Sequence, residues 1–371
     1  MKILLISYGI KEYDGRLSEL YKVASNIGDV TIVCVGENKG NNKNENIVLM
    51  TSSKYLSIKL YLSFILLSLK TAYKMKEIDI LVSDNLFASL PALLIRTLFK
   101  PKKIIQDVRE LYFYKDIKNW TGKFLCKFET ILMKKADVIL CANHQRSKIM
   151  FEYYNLKNPP IVFENIRFLT DSFDSNILDD KYKKFFNFDV NIVSTGGISV
   201  KRNIDKLVYS MTRIPSNYGL YIIGDGTKED MNLIEEIIRK NNLKNITIIN
   251  KVPLSELRYI LQQCDIGIVS YHKNDLNNRY CASGKVYEYL AEGLPIVTSE
   301  NEPLKEFCGK YKVGVADDNF YNGILEVSNN ISGYKNKVES FISGVSVQKY
   351  NSETANKILG IIGNSNYNEK Y

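Results

Sequence analysis

Short, uninterrupted apolar runs recur along this chain with longer helical patterns between them. That alternation constrains the fold more than any other feature. Runs of four to six apolar residues suit parallel strands covered on both faces. In the first half they lie at 2–7, 29–35, 78–83, 103–107, 136–141 and 160–163. Helical periodicity fills 16–27, 55–76, 87–99, 121–135 and 145–154 between them. A second series has strands at 191–195, 219–223, 246–250, 266–270, 295–298 and 314–316. Its helices lie at 204–211, 229–241, 254–263, 285–292, 302–307 and, more loosely, 340–362. The pattern predicts two doubly wound α/β domains, with sheet ends facing a shared cleft. The first covers 1–170 and the second 189–335. The polar stretch 171–188 reads as a linker, 37–46 as a loop, and 336–371 as a C-terminal helical segment that can cross back to the first domain. With 371 residues, 45% hydrophobic, each half can bury its own core.

The net charge of +9 is uneven. Residues 51–150 carry 18 Lys and Arg against 8 Asp and Glu, so the excess sits in the first domain. Such a patch attracts nucleic acid, anionic headgroups or phosphorylated substrates, or is simply a solvated lysine-rich surface. Within it, 55–76 holds Lys59, Lys70, Lys74 and Lys76 and no acid around an apolar run of ten residues at 60–69. A spanning helix needs about 20 apolar residues. The run therefore reads as a buried helix with lysines at its ends, with an interfacial amphipathic helix as the alternative. No RNP or zinc-finger pattern supports nucleic acid. The first residues read as a buried strand, not a signal sequence. Six scattered cysteines without a CxxC pair fit reduced thiols in a cytoplasm, and two histidines argue against a metal site.

Three segments of the second domain could carry chemistry. The stretch 194–203 reads STGGISVKRN and follows an apolar strand. Gly196 and Gly197 allow close backbone approach to a phosphate, and Lys201 or Arg202 can neutralise it. Gly224-Asp225-Gly226 follows the next strand and is also ordinary turn chemistry. The stretch 278–297 reads NRYCASGKVYEYLAEGLPIV. Ser283 and Gly284 open a short helix there, and Lys285 and Glu288 project from one face of its first turn. A helix N-terminus plus Lys285 can hold a diphosphate, and a carboxylate one turn on suits vicinal hydroxyls. A surface Lys–Glu pair is the plainer reading of the same residues.

SGKVYEYLAEGLPIV resembles the signature helix and strand of family-4 glycosyltransferases, here of the bacterial surface-polysaccharide branch. LQQCDIGIVSY at 261–271, the Gly196–Gly197 loop and YIIGDG at 221–226 fall where that family has its preceding strand, phosphate loop and glycine-rich strand end. In the first half, QDVREL at 106–111 resembles a D-x-H-E segment, Asp14-Gly15-Arg16 a D-x-R segment, and Glu164-Asn165 an x-N close. The likeness spans residues 1 to about 320.

The resemblance implies the GT-B fold, two Rossmann-like domains facing a central cleft. It implies a transferase moving a sugar from a nucleotide-sugar to a lipid-linked glycan acceptor in capsule, O-antigen or exopolysaccharide assembly, with retained configuration. It assigns donor binding to Gly196, Gly197, Arg202, Gly224, Tyr280, Ser283, Gly284, Lys285 and Glu288. Asp14, Arg16 and Glu110 become acceptor contacts, and Arg109, Glu110, Arg202 and Lys285 the catalytic set. No cofactor or metal is expected, because enzymes of this fold usually lack a bound metal, and side-chain cations then neutralise the leaving diphosphate. The first glutamate of the E-x7-E pattern falls on Tyr280, an arginine position on Gly197, and the histidine of D-x-H-E on Arg109. Asn278, Arg279 or amides at 281–283 are the candidates for the missing sugar contact. Two alternatives stay open: a non-catalytic scaffold with this fold, and a sugar-nucleotide epimerase, which only two histidines disfavour. The basic patch places the first domain on an anionic inner-membrane surface, in a chain that is cytoplasmic or peripheral.

Overall fold

The computed structural model describes residues 1–10, 14–37, 43–49 and 57–364. They form two compact units, one within 1–164 together with 347–364 and one of 165–346.

The first unit runs β1 (Lys2–Ile10), α1 (Gly15–Ser25), β2 (Asp29–Gly36), β3 (Glu45–Leu49), α2 (Ile58–Met75), β4 (Ile80–Asp84), α3 (Ser89–Phe99), β5 (Lys103–Val108), α4 (Trp120–Met133), β6 (Val138–Cys141), α5 (His144–Tyr154) and β7 (Ile161–Val162). Its described strands pair in parallel in the order β3-β2-β1-β4-β5-β6-β7. The order reverses beside β1, which sets the loops after β1 and β4 side by side. Such a switch point is where open α/β sheets take ligands. The unbroken apolar run of β1 has a direct cause. Ile3 and Leu5 pack with Leu17 and Leu20 of α1 on one sheet face. Leu4, Ile6 and Tyr8 pack with Phe64 of α2 and Ala92 and Ile95 of α3 on the other.

The second unit runs α6 (Ser175–Tyr182), β8 (Val190–Thr195), α7 (Ile204–Ser210), β9 (Tyr218–Ile223), α8 (Lys228–Lys240), β10 (Ile246–Ile249), α9 (Leu254–Gln262), β11 (Ile266–Val269), α10 (Leu276–Arg279), α11 (Gly284–Ala291), β12 (Ile296–Thr298), α12 (Glu302–Tyr311), β13 (Gly314–Ala316), α13 (Tyr321–Asn329) and α14 (Ile331–Ser343). Its parallel sheet has the order β10-β9-β8-β11-β12-β13, with the switch beside β8. α15 (Val347–Asn364) then joins the first unit. Its Ala355, Ile358 and Ile362 enter the core beside α1, and Asn351 Nδ2 donates to Glu19 at 2.7 Å.

Four expectations are corrected. The stretch 171–188 is not a bare linker, because α6 lies within it and belongs to the second unit. Asp174 caps this helix through Asn176 N at 3.0 Å, and only Leu178 and Tyr182 are buried, so its apolar stripe is too thin to read. Lys181 pairs with Glu256 at 2.7 Å, and Tyr259 Oη donates to Asp179 at 2.5 Å. The chain passes between units at 164–165, earlier than residue 170. The loop expected at 37–46 ends sooner, since Glu45 and Asn46 begin β3, a short edge strand; 38–42 lie outside the described residues. Of the helix expected at 55–76, residues 55 and 56 also lie outside them. The region read as one helical stretch over 340–362 is two helices, parted at Gly344. All six cysteines are buried, and none forms a disulfide. No helix among the described residues is long and apolar enough to cross a membrane.

Candidate functional site

In the second unit the polar groups gather at the carboxyl ends of β8, β9 and β11. β8 delivers Thr195 into a turn at Gly196, whose φ of 96° is a left-handed conformation that glycine adopts freely. A Cβ on Gly196 would stand 2.6 Å from Lys285 Nζ. One on Gly224 (φ 149°) would stand 1.8 Å from the Gly196 carbonyl oxygen, so these two loops meet backbone to backbone. Gly196 N donates to Ile223 O at 2.8 Å and Ile198 N to Asp225 O at 2.9 Å. Gly197 faces open space, leaving its backbone accessible.

α11 approaches from the other side of the switch. Tyr289 anchors it: its hydroxyl accepts from Thr195 N at 2.9 Å and lies 2.9 Å from Thr195 Oγ1. Its ring lies over Gly267, where a Cβ would come within 2.4 Å. One turn back, the Lys285 amine donates to the Thr195 carbonyl. Burial lowers this amine to about 8, and Arg202 pushes the same way against the attraction of Glu288. Glu288 is buried and pairs with Arg167 Nε at 3.2 Å. Asn165 Nδ2 donates to Ala282 O at 2.8 Å, so the segment 165–167 braces the start of α11. Ser283 is the N-cap residue of α11, yet its buried Oγ makes no cap bond and has no hydrogen-bond partner.

A set of buried amides holds the surrounding loops. Asn301 is fully buried, donates to Asn278 O at 2.7 Å and accepts from Ser299 Oγ at 2.6 Å. Asn203 Nδ2 donates to Tyr271 O at 2.9 Å. Arg202 follows the glycine turn and lies over the Tyr271 ring at 4.3 Å. Its Nη1 is buried without a partner, as is Ser270 Oγ just after β11. Tyr280 closes α10, half-buried, with the Arg279 guanidinium 5.8 Å from its ring and paired to Glu302. An orphaned buried donor costs about 1–3 kcal/mol. Here Arg202 Nη1 and Ser283 Oγ stand with a half-buried amine and a helix N-terminus, a set of donors suited to an anion with several oxygens.

In the first unit, Asp14, Arg16, Arg109 and Glu110 come together around two aspartates. Arg109 donates to Asp84 Oδ1 at 2.5 Å and to Asp14 Oδ2 at 2.6 Å. Asp14 also caps α1 through Leu17 N at 2.9 Å. Arg16 grips Asp107 with both arms, at 2.6 and 2.7 Å, and donates to Phe163 O at 2.8 Å. That guanidinium is committed within the fold, so a ligand contact by Arg16 requires it to leave Asp107. Glu110 is half exposed, 3.6 Å from Arg146, and can accept bonds from hydroxyls in solvent. Beneath it, burial pushes the Glu129 carboxyl up to about 8, with Glu110 and Asp107 adding repulsion. Burial likewise raises Asp84 to about 6 against the attraction of Arg109.

Sequence reasoning missed Asp84, Glu129, Arg146, Arg167 and Asn301. Asp84 had a readable signal, an acid directly after an apolar strand. Arg167 had none, because it reaches Glu288 from 121 residues away.

Residues 180–358 match the family model described as glycosyl transferases group 1, a span that includes the Gly196 turn, Arg202, Lys285 and Glu288. A comparison with curated proteins returns no match. Among solved structures, Anabaena HepE in complex with UDP and glucose superposes with a TM-score of 0.72 at 14% identity, over 97% of this chain and 100% of that one. Sucrose-phosphate synthase from Thermosynechococcus elongatus gives 0.67 at 14%, over 100% and 98%. WaaG, a glycosyltransferase involved in lipopolysaccharide biosynthesis, gives 0.63 at 12%, over 96% and 100%. The two parallel-sheet, Rossmann-like units thus have the GT-B fold.

Proposed function

We propose that this chain, a nucleotide-sugar-dependent transferase by its group 1 domain and GT-B fold, moves a sugar from a donor on the second unit to a lipid-linked glycan on the first. The observation that carries the reading is the set of unsatisfied cationic and hydroxyl donors, Arg202 Nη1 and Ser283 Oγ, beside Lys285. The donor's diphosphate meets the Gly196–Gly197 backbone and the start of α11. The ribose hydroxyls meet Glu288, which Arg167 holds in place. As the sugar–phosphate bond breaks, negative charge grows on the leaving oxygen. Arg202 and Lys285, rather than a metal ion, neutralise it. Glu110 of the first unit is an acceptor contact in this reading, and the configuration is retained.

Two neighbours are in keeping with this chemistry. HepE is found with UDP and glucose, and WaaG acts in lipopolysaccharide biosynthesis. In this reading the chain works in surface-polysaccharide assembly, on the cytoplasmic face of an anionic membrane. Titration calorimetry with UDP-, GDP- and TDP-sugars, alongside transfer to a synthetic lipid-diphosphate acceptor, tests it. One donor class binds and is consumed, and Glu288→Ala weakens it at least about tenfold, the loss of a charge-assisted bond. Absence of binding to every donor, with an unaffected Glu288→Ala variant, refutes the reading.

A further inference from the structure

The helices α2, α3 and α4 lie side by side over one face of the first sheet, with Phe64, Ala92, Ile95 and Leu132 turned inward. Their outward face is unusual. Every exposed residue of α2 is either apolar or a lysine: Ile58, Leu62, Leu66 and Tyr73, beside Lys59, Lys70 and Lys74. At 100° per residue the apolar four fall within one stripe and the lysines border it on one side. Leu66 is 67% exposed and Ile58 79%, where a monomeric soluble surface places polar groups. α3 adds Leu98, and α4 adds Trp120, 77% exposed, and Phe124. Across the three helices the one carboxylate is Glu129, which is buried, against six cations: Lys59, Lys70, Lys74, Arg96, Lys123 and Lys127.

We infer that this three-helix face is a membrane-insertion surface that seats the first unit in the headgroup region of an anionic bilayer. The inference rests on the membrane setting proposed above and gives it a place and a mode. Apolar side chains beside lysines, with tryptophan and tyrosine among them, match the layered chemistry of a lipid interface: acyl chain, carbonyl belt, anionic headgroup. A second copy of the chain is a poorer occupant, because a two-fold contact through α2 would oppose lysines to lysines with no exposed acid on these helices to pair them. A purely electrostatic patch would carry the lysines without the apolar stripe. The stripe makes binding outlast added salt, since screening weakens charge attraction but not burial of leucine.

The chain has one tryptophan, Trp120, so its fluorescence reports this face alone. The full-length protein is mixed with vesicles of phosphatidylcholine with or without phosphatidylglycerol, and with brominated analogues. The anionic vesicles bind it, shift Trp120 emission to the blue and, when brominated, quench it. Leu62→Ser with Leu66→Ser lowers vesicle affinity at least about tenfold, because the leucines no longer leave water on binding. Lys59→Glu with Lys70→Glu lowers it about tenfold or more, because charge attraction to the anionic surface turns to repulsion. Both pairs are exposed, and circular dichroism with thermal unfolding of each variant verifies the fold. Three outcomes overturn the inference: no vesicle binding, vesicle binding without a change in Trp120, or a concentration-dependent dimer that the serine pair abolishes. Sugar transfer to a water-soluble acceptor is measured in parallel. A protein that transfers sugar but ignores vesicles defeats this inference and leaves the functional reading standing.

Discussion

Lys285→Met separates stability from donor binding within one side chain. The amine titrates near about 8 in place of 10.5, so charging it in the folded site costs roughly 3 kcal/mol more than in water. Methionine keeps the length of the chain without the charge. It also loses the charge-assisted bond to the Thr195 carbonyl, which offsets about 2 kcal/mol. The variant is therefore about 1 kcal/mol more stable than the parent at pH 7. The sign follows from linkage. The folded-state value lies below the unfolded one, so the penalty is complete below about 8. As pH rises from about 8 to 10.5, the unfolded chain still holds a proton that the folded chain has shed, and the penalty disappears. Urea unfolding of both proteins at pH 7, 8, 9 and 10 should show the variant's advantage shrinking across that range. Calorimetry at pH 7 should show donor binding lost. A stability difference that stays flat with pH refutes a strained amine, and retained donor affinity refutes its role in holding the diphosphate.

Arg167→Ala removes the partner that fixes Glu288. Nucleotide affinity should fall by up to about tenfold, less than for Glu288→Ala, as calorimetry will show. Glu129→Gln replaces a buried carboxyl raised to about 8 from 4.5. The folded chain holds that proton longer, so parent stability declines as pH rises from 4.5 to about 8, and the variant's relative gain grows over the same interval in urea melts. Ile358→Ala opens a cavity in the first unit and should cost about 2–5 kcal/mol there, while UDP-sugar binding to the second unit persists.

The βαβ alternation was legible because each strand is buried on both faces, as Leu4 and Leu5 show by packing into different cores. Polarity hid what the pattern missed. α6 buries two side chains, and β3 begins with Glu45 and Asn46 at a sheet edge. At the site, the helix signature around Lys285 and Glu288 was readable because local spacing puts both on one turn. The partners that set their state were not. Thr195 and Arg167 arrive through the switch in strand order and through the segment after Glu164, and neither contact leaves a trace in nearby sequence. The reading of 55–76 as a buried helix caught half of α2. Phe64, Ser68, Thr71 and Ala72 are buried, but the other face is bare.

The return of α15 to the first unit has a consequence for biogenesis. Glu19 meets Asn351 across 332 positions of sequence. A ribosome adding about 5–20 residues per second needs tens of seconds to connect them. Throughout that interval the side of β1 and α1 that receives Ile358 has no cover. The second unit is continuous in sequence and can complete itself first. The nascent N-terminal half therefore waits with exposed hydrophobic surface, a client for chaperones until the last turns of helix emerge. A stop codon upstream of residue 347 would leave that unit permanently unfinished, however intact the second unit beside it in the sequence.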